Sequence, residues 1–217
     1  MAVKYSTKVL KPVYEERREA TRNVPKFWPT VLDSSELLAE YITYEDTEVL
    51  DHLVDLYVEW DEDNVKNFTI HWEFSENDFL ETNKVSKRFE LVEAEKSGEG
   101  DDEDDEDAED SYTSTPVALK WKKGKNLTKP KDGRDTSFFN WFSFSGEGPG
   151  DYKGGENIAV IIAEELFPHA LKFFADAFSE GDLAEYELDD EEDDDEDDEV
   201  EGDAEHEDAP PRKKSKN

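Results

Sequence analysis

Two dense acidic runs set the outer limits of any fold this chain can adopt. Ten of the twelve residues from Glu99 to Asp110 are acidic, and so are nineteen of the twenty-seven from Asp182 to Asp208. Like charges at that density repel one another, and the runs lack the apolar side chains that offset the entropy of ordering, so both read as solvated, disordered appendages. The rest of the chain is the opposite in character. It carries five Trp, thirteen Phe and eight Tyr in 217 residues, a content foreign to disordered sequence. Folding is therefore confined to roughly 160 residues, enough for one domain with a core.

The charge also restricts partners. The net charge is −35. The two runs hold 29 of the 60 acids and the last six residues hold 4 of the 25 bases, which leaves a body with 31 acids against 21 bases, net −10. Nucleic acids and anionic membranes are bound by neutralising phosphate with Lys and Arg, so neither is expected as a direct partner, and basic proteins are. With no cysteine there is no disulfide, thiol nucleophile or zinc–thiolate site, which fits a reducing compartment. Residues 1–20 lack the apolar centre of a signal peptide, and no apolar run approaches the ~20 residues needed to span a bilayer. The sequons at Asn67 and Asn126 then read as chance.

Local patterns divide the body. Residues 1–22 are charged and helix-friendly, and Val9, Leu10, Val13 and Tyr14 form a thin apolar stripe. Pro12 is expected to start or kink a helix running to Arg22, and Val24–Pro29 to end it. Asp33, Ser34 and Ser35 offer a cap for a short helix over Glu36–Tyr41. Four period-two runs follow. In the first, Val54, Leu56, Val58 and Trp60 alternate with Asp55, Tyr57 and Glu59. In the second, Phe68, Ile70, Trp72 and Phe74 alternate with Thr69, His71 and Glu73. The third sets Val85, Phe89 and Leu91 against Arg88 and Glu90. The fourth sets Val117, Leu119 and Trp121 against Lys120 and Lys122, and the acidic insert separates it from the third. Ser137–Phe142 reads as an apolar helical turn on the sheet, and Gly146–Gly155 as a loop. Asn157 is the expected cap of a helix with Ile158, Ile161, Ile162 and Leu166 on its apolar stripe. Beyond the interruption at Pro168, Leu171, Phe173, Phe174 and Phe178 extend the apolar pattern. The order predicts an α+β fold, a four-stranded antiparallel meander backed by helices.

Five phrases in series, KPVYEERREATRNVPKFW (Lys11–Trp28), FSENDFLETNKVSKRFEL (Phe74–Leu91), LKWKKGKNLT (Leu119–Thr128), SFFNWF (Ser137–Phe142) and EELFPHALKFF (Glu164–Phe174), followed by an acidic tail, resemble the nucleosome assembly protein family. Within that family they resemble the SET-type histone chaperones, and the likeness runs from Lys8 to about Phe178. The resemblance implies an "earmuff" sheet-and-helix domain carried on a long dimerisation helix. It implies binding of core histones, shielding of them from DNA, and help in nucleosome assembly and disassembly. Some members assist a histone acetyltransferase, and SET-type members are associated with phosphatase inhibition, which makes an inhibitor or signalling scaffold the alternative. The division this implies is the C-terminal end of the dimerisation helix over 1–24, the earmuff domain over 25–181 with a disordered insert over 97–114, a disordered acidic tail over 182–209, and a basic patch over 210–217. Only Lys8–Arg22 corresponds to the family's dimerisation helix, and three turns alone cannot hold a helix pair. A monomer or weak dimer is expected.

No catalytic constellation emerges. His52, His71, His169 and His206 show no ligand spacing. The glycine-rich stretch at Gly146 has Glu and Pro where a phosphate loop needs bare N–H groups, and Asp101–Asp110 lacks the spacing of a calcium loop. No cofactor or metal is expected, and no enzyme activity. The candidate histone-binding acids are Glu59, Asp61, Glu62 and Asp63 at the first turn, Glu73, Glu76, Asp78 and Glu81 around the end of the second strand, and Asp189, Asp190, Glu191, Glu192, Asp193, Asp194 and Asp195 in the tail. The two groups on the body are expected to lie near each other. All five Trp are expected in or at the edge of the core. Lys120, Lys122, Lys123 and Lys125 form a basic strip that either balances charge internally or meets a partner. Arg212, Lys213, Lys214 and Lys216 read as a nuclear localisation patch, implying a nuclear protein that can shuttle with the cytoplasm, or as a segment that folds back on the acidic tail.

Overall fold

Period-two alternation becomes a sheet, and its phase decides which face is wet. A computed structural model describes residues 2–94, 110–129, 136–148 and 151–179, with side chains from residue 8 onward. The elements are α1 (Ala2–Thr21), α2 (Phe27–Asp33), α3 (Glu36–Ala39), α4 (Tyr44–Leu50), β1 (Leu53–Trp60), β2 (Phe68–Phe74), β3 (Lys84–Val92), β4 (Ser111–Ser114), a 3-10 turn (Phe138–Ser143) and α5 (Gly155–Val160). The helix after α5 continues as a π segment (Ile161–Leu166), and α6 follows over residues 170–179. The strands form one antiparallel meander in sequence order. Among the described residues no helix is long and apolar enough to cross a membrane.

Register fixes the two faces. Leu56 stands opposite Trp72, Val58 opposite Ile70 and Trp60 opposite Phe68. On the next strand Phe68 meets Phe89, Ile70 meets Lys87 and Trp72 meets Val85. This face is packed by Phe138, Trp141 and Phe142 of the 3-10 turn, whose rings lie 5.7–5.9 Å from Trp72. Gly155 lets α5 approach closely: a Cβ there would collide with the Phe144 ring, and its carbonyl accepts a bond from Trp141 Nε1 at 2.7 Å. Trp28, Trp72 and Trp141 are buried, and Trp60 and Trp121 sit at the core's edge. The opposite face carries Asp55, Tyr57 and Glu59, then Thr69, His71 and Glu73, then Lys84, Ser86, Arg88 and Glu90.

Several expectations need correction. The helix does not begin at Pro12. It runs through that residue, and the helical ladder tolerates the missing N–H because Pro12 lies on the exposed side. Val24–Pro29 does not simply terminate structure: Phe27 opens α2, which buries Phe27, Trp28, Val31 and Leu32. Asn157 lies inside α5, whose cap position is Gly154 with φ 78°. In β1 a register irregularity between Leu53 and Asp55 turns Val54 outward and buries Asp55. The fourth strand is Ser111–Ser114, at the end of the segment assigned to the disordered insert, rather than Val117–Lys122. Val117, Leu119 and Trp121 do pack on the core, but their stretch pairs with the β2–β3 loop, through a Leu80–Trp121 bridge, and not with a strand of the sheet. Val117 N–H instead donates to Phe142 O and Lys122 N–H to Phe79 O, both at 2.7 Å. Alternation reports burial on one side; it does not say which backbone is the neighbour.

The π segment has a physical anchor in α1. Phe167 N–H bonds to Ile162 O, five residues back, at 2.9 Å. Pro168 then has no N–H to offer. Arg17 Nη1 donates to Phe167 O at 2.6 Å and to Pro168 O at 3.3 Å, and its guanidinium lies 4.4 Å from the Phe167 ring centroid. Burial pulls the Arg17 pKa below its ordinary value. Charged hydrogen bonds are worth about 1.5–3 kcal/mol each, so Arg17→Met is expected to lower unfolding free energy by roughly 2–3 kcal/mol, measured by urea titration. Arg17→Lys should recover little of this, because lysine has no planar guanidinium to lie on the Phe167 ring while its edge reaches the carbonyls. Full recovery by lysine would refute the clamp.

Candidate partner-binding groove

The wet face of the sheet is not open across its width, because α1 packs along β1. The contact is electrostatic and specific. Asp55 is almost fully buried, and its Oδ2 accepts from Arg18 Nε at 2.7 Å and Arg22 Nη2 at 3.2 Å. Arg22 also reaches Glu73 at 2.7 Å, and Lys84 reaches the other oxygen of Glu73 at 3.1 Å. Burial pushes the Glu73 carboxyl up, but its bonds to Lys84 and Arg22 outweigh this and hold it below the usual range. Arg18 lies 4.6 Å over the Tyr57 ring, and Tyr14 and Phe167 meet edge-on at 4.9 Å.

A groove remains between α1 and the sheet, in two contiguous parts that share Lys11, Tyr57 and Glu59. One part, about 370 Å³, runs over His71, Glu73, Lys84 and Ser86. His71 Nδ1 is 2.8 Å from Ser86 Oγ, and its Nε2 is 3.3 Å from Glu59 Oε2. The other part, about 240 Å³, has Tyr14, Tyr57 and Trp60 beside the acidic β1–β2 turn. Burial raises the Tyr14 and Tyr57 hydroxyl pKa values.

The structure separates the candidate acids into two places. The β1–β2 turn and the β2–β3 loop lie at opposite ends of β2, seven residues or roughly 20 Å apart. The expected proximity of the two groups therefore does not hold, since successive turns of a meander alternate ends. Glu59, Asp61, Glu62 and Asp63 line the groove at one end; of these Glu59 alone also lines the other part, where Glu73 lies. Glu76, Asp78 and Glu81 are exposed on the β2–β3 loop. Nor are all these acids available. Asp61 is held by both terminal nitrogens of Arg88 at 2.9 and 2.6 Å, which keeps its pKa below the usual range. Among the described residues, the side chains of Glu62, Asp63, Glu76, Asp78 and Glu81 have no ion pair. Lys122 donates to Asn77 O at 2.6 Å and Lys125 lies 4.9 Å over Phe79. Lys120 and Lys123 are exposed, and no ion pair joins the strip to a described carboxylate. Asp189–Asp195, Arg212, Lys213, Lys214 and Lys216 lie outside the described residues, as does the acidic insert up to residue 109.

Sequence reasoning missed Asp55 and Asp46. Asp55 sits in the polar phase of β1 and carries no local mark of burial. Asp46 did carry one: Thr43 and Asp46 have capping-box spacing, and both bonds of the box form at the start of α4.

Comparison with known proteins places this architecture. The profile of the family described as nucleosome assembly protein (NAP) matches residues 4–177. A Schizosaccharomyces pombe protein described as a nucleosome assembly protein is 34% identical over 180 residues, covering 82% of this chain and 73% of that one. Protein SET of Drosophila melanogaster is 33% identical over 178 residues, with 77% of this chain and 61% of the fly protein covered. Among solved structures, Ccp1 superposes with a TM-score of 0.72 at 30% identity, over 82% of this chain and 86% of the other. The Vps75 histone chaperone shares the fold, with a TM-score of 0.66 at 24% identity, over 82% and 89%.

Proposed function

The chain belongs to the nucleosome assembly protein family of histone chaperones, and from that premise we propose that it binds core histones and withholds them from DNA until they are deposited or removed. The observation that carries the reading is the groove beside α1, rimmed by Glu59, Glu62 and Asp63 on a body that is itself acidic. Exposed carboxylate–lysine contacts are worth only about 0–1 kcal/mol each, so affinity comes from many of them at once. The acidic runs supply local charge density and faster encounter, screened beyond about 8 Å at cellular salt. The groove supplies shape. The molecule acts without covalent chemistry, and a histone acetyltransferase is a candidate second partner. Arg212, Lys213, Lys214 and Lys216 direct it to the nucleus.

The test is competition between histones and DNA at about 0.15–0.3 M salt. The intact chain is compared with a chain ending at Gly181, and with a body carrying Glu62→Lys, Asp63→Lys, Glu76→Lys and Asp78→Lys. The intact protein is expected to strip histones from DNA. The shortened chain should do so with a weaker and more salt-sensitive effect. The reversed body should lose about 10-fold or more in affinity. Failure of the intact chain to compete at 0.15 M salt defeats the proposal.

A further inference from the structure

The smaller part of the groove has a composition that the rest lacks. Its inner wall is aromatic: Tyr14 and Trp60 have ring centroids 6.0 Å apart at 33°, with Tyr57 beside them. Its rim is carboxylate, supplied by the end of β1 and the turn after it. At about 240 Å³ it is smaller than the roughly 300–1,000 Å³ of sites that enclose whole small molecules. That is space for one long side chain.

The charges around it are uneven. Asp61 is neutralised by Arg88 and Glu59 shares a bond with His71. Glu62 and Asp63 are exposed and have no ion pair among the described residues. From the helix wall come Lys8 and Lys11, both exposed. An aromatic wall with free carboxylates at its mouth suits a cation on an apolar stem, since the ring faces attract the charge and the stem covers apolar surface. The chain already makes this contact within itself: the Arg17 guanidinium lies 4.9 Å over the other partner of that wall, the Tyr14 ring.

We propose that this pocket seats a single lysine or arginine side chain of a basic partner, with its stem against Tyr14 and Trp60 and its charged head at Glu62 and Asp63. The proposal rests on the histone-binding reading and deepens it, by turning a diffuse acidic surface into one with a defined anchor. Lys8 and Lys11 repel the incoming head group toward the β1–β2 turn, so they orient the cation and weaken its binding. Removing them should tighten binding, as any charge attraction predicts; what bulk attraction does not predict is a dependence on which end of β2 carries the reversed charges, or a response of the Trp60 indole.

The experiment uses the full chain and a fluorescently labelled histone-tail peptide rich in lysine and arginine. Glu62→Lys with Asp63→Lys is expected to weaken binding about 10-fold. Asp78→Lys with Glu81→Lys, the same charge change at the other end of β2, should weaken it no more than about 3-fold. Lys8→Ala with Lys11→Ala should tighten it about 3-fold. The indole N–H resonance of Trp60 should shift on titration. Peptides with all-lysine or all-arginine basic positions identify the preferred head group, and a peptide with acetyl-lysine and citrulline at those positions should not shift Trp60. Equal weakening by the two reversals, or a Trp60 signal unmoved while the peptide binds, overturns the pocket and leaves the chaperone reading standing. If intact histones do not bind the unaltered chain, the chaperone reading itself fails.

Discussion

Asp46→Ala is expected to remove roughly 3–5 kcal/mol of stability, enough to unfold a domain with little in reserve. Asp46 is completely buried, with no described cation against it, and is satisfied entirely by donors. Thr43 N–H and Thr43 Oγ1 donate to Oδ2 at 2.9 and 2.8 Å, and Phe138 N–H donates to the same oxygen at 2.8 Å. Ser137 Oγ donates to Oδ1 at 2.5 Å. Ninety-two positions separate Asp46 from Phe138, so one carboxylate caps α4 and also ties it to the turn that packs the sheet. Alanine strands two buried donors, Phe138 N–H and Ser137 Oγ, and two half-buried ones on Thr43, and a stranded buried donor costs about 1–3 kcal/mol before any relaxation. The ends of the two elements would be loosened together. Asp46→Asn should cost less, because an amide keeps one acceptor oxygen, but its NH₂ faces donors and cannot restore the set. Thermal unfolding should show the order native, Asn, Ala, with the alanine protein lower by about 6–20 °C at 2–4 °C per kcal/mol. A loss below about 1 kcal/mol for alanine would show that the clamp is incidental.

Stability should rise as pH increases from 8 to 10, and the rise should vanish in Lys87→Met. Lys87 lies at mid-strand on the core face of β3, opposite Ile70, and is fully buried. Its Nζ donates to the carbonyls of Phe144, Phe142 and Thr115 at 2.7, 3.1 and 3.3 Å, among the rings of Phe89, Trp141 and Phe144. Burial lowers its pKa from 10.5 to about 8, only partly opposed by Asp151. In the unfolded chain the lysine keeps its ordinary value. Between pH 8 and the ordinary lysine pKa the unfolded state therefore binds more protons, and stability increases with pH. Below pH 8 both states are protonated and the cost of the buried charge is constant. At 1.36 kcal/mol per pKa unit, the gain between pH 8 and 10 is about 2–3 kcal/mol. It ends near pH 10, because Tyr152 is held up to about 12 by burial and Tyr14, Tyr57 and Tyr112 are raised likewise. Those hydroxyls ionise first in the unfolded chain and reverse the slope. Urea unfolding across pH 7–10.5 measures this directly. A flat profile in the unaltered protein, or the same rise in Lys87→Met, rules out Lys87 as the source.

Readable from residue order alone were the face pattern of β1 from Leu56 onward and of β2 and β3, the apolar stripe of α5 and its π continuation, the packing of Ser137–Phe142 on the sheet, and the acidic character of the whole. Each of these depends on spacing along the chain: side chains alternate every two residues on a strand and recur every three to four on a helix. The turn acids at Asp61–Asp63 were legible for the same reason. Tertiary structure decided the rest. It chose Ser111–Ser114 over the better-patterned Val117–Lys122 as the fourth strand, because strand membership depends on which backbone lies alongside. It buried Asp46, Asp55 and Lys87: Ser137 Oγ and Phe138 N–H reach Asp46 from 91 and 92 positions away, Arg18 and Arg22 reach one oxygen of Asp55, and three carbonyls reach Lys87. It also paired Asp61 and Glu73 while leaving Glu62 and Asp63 without ion pairs among the described residues. Net charge is additive along a sequence, but the charge a partner meets depends on which opposite charges the fold has brought within hydrogen-bonding distance.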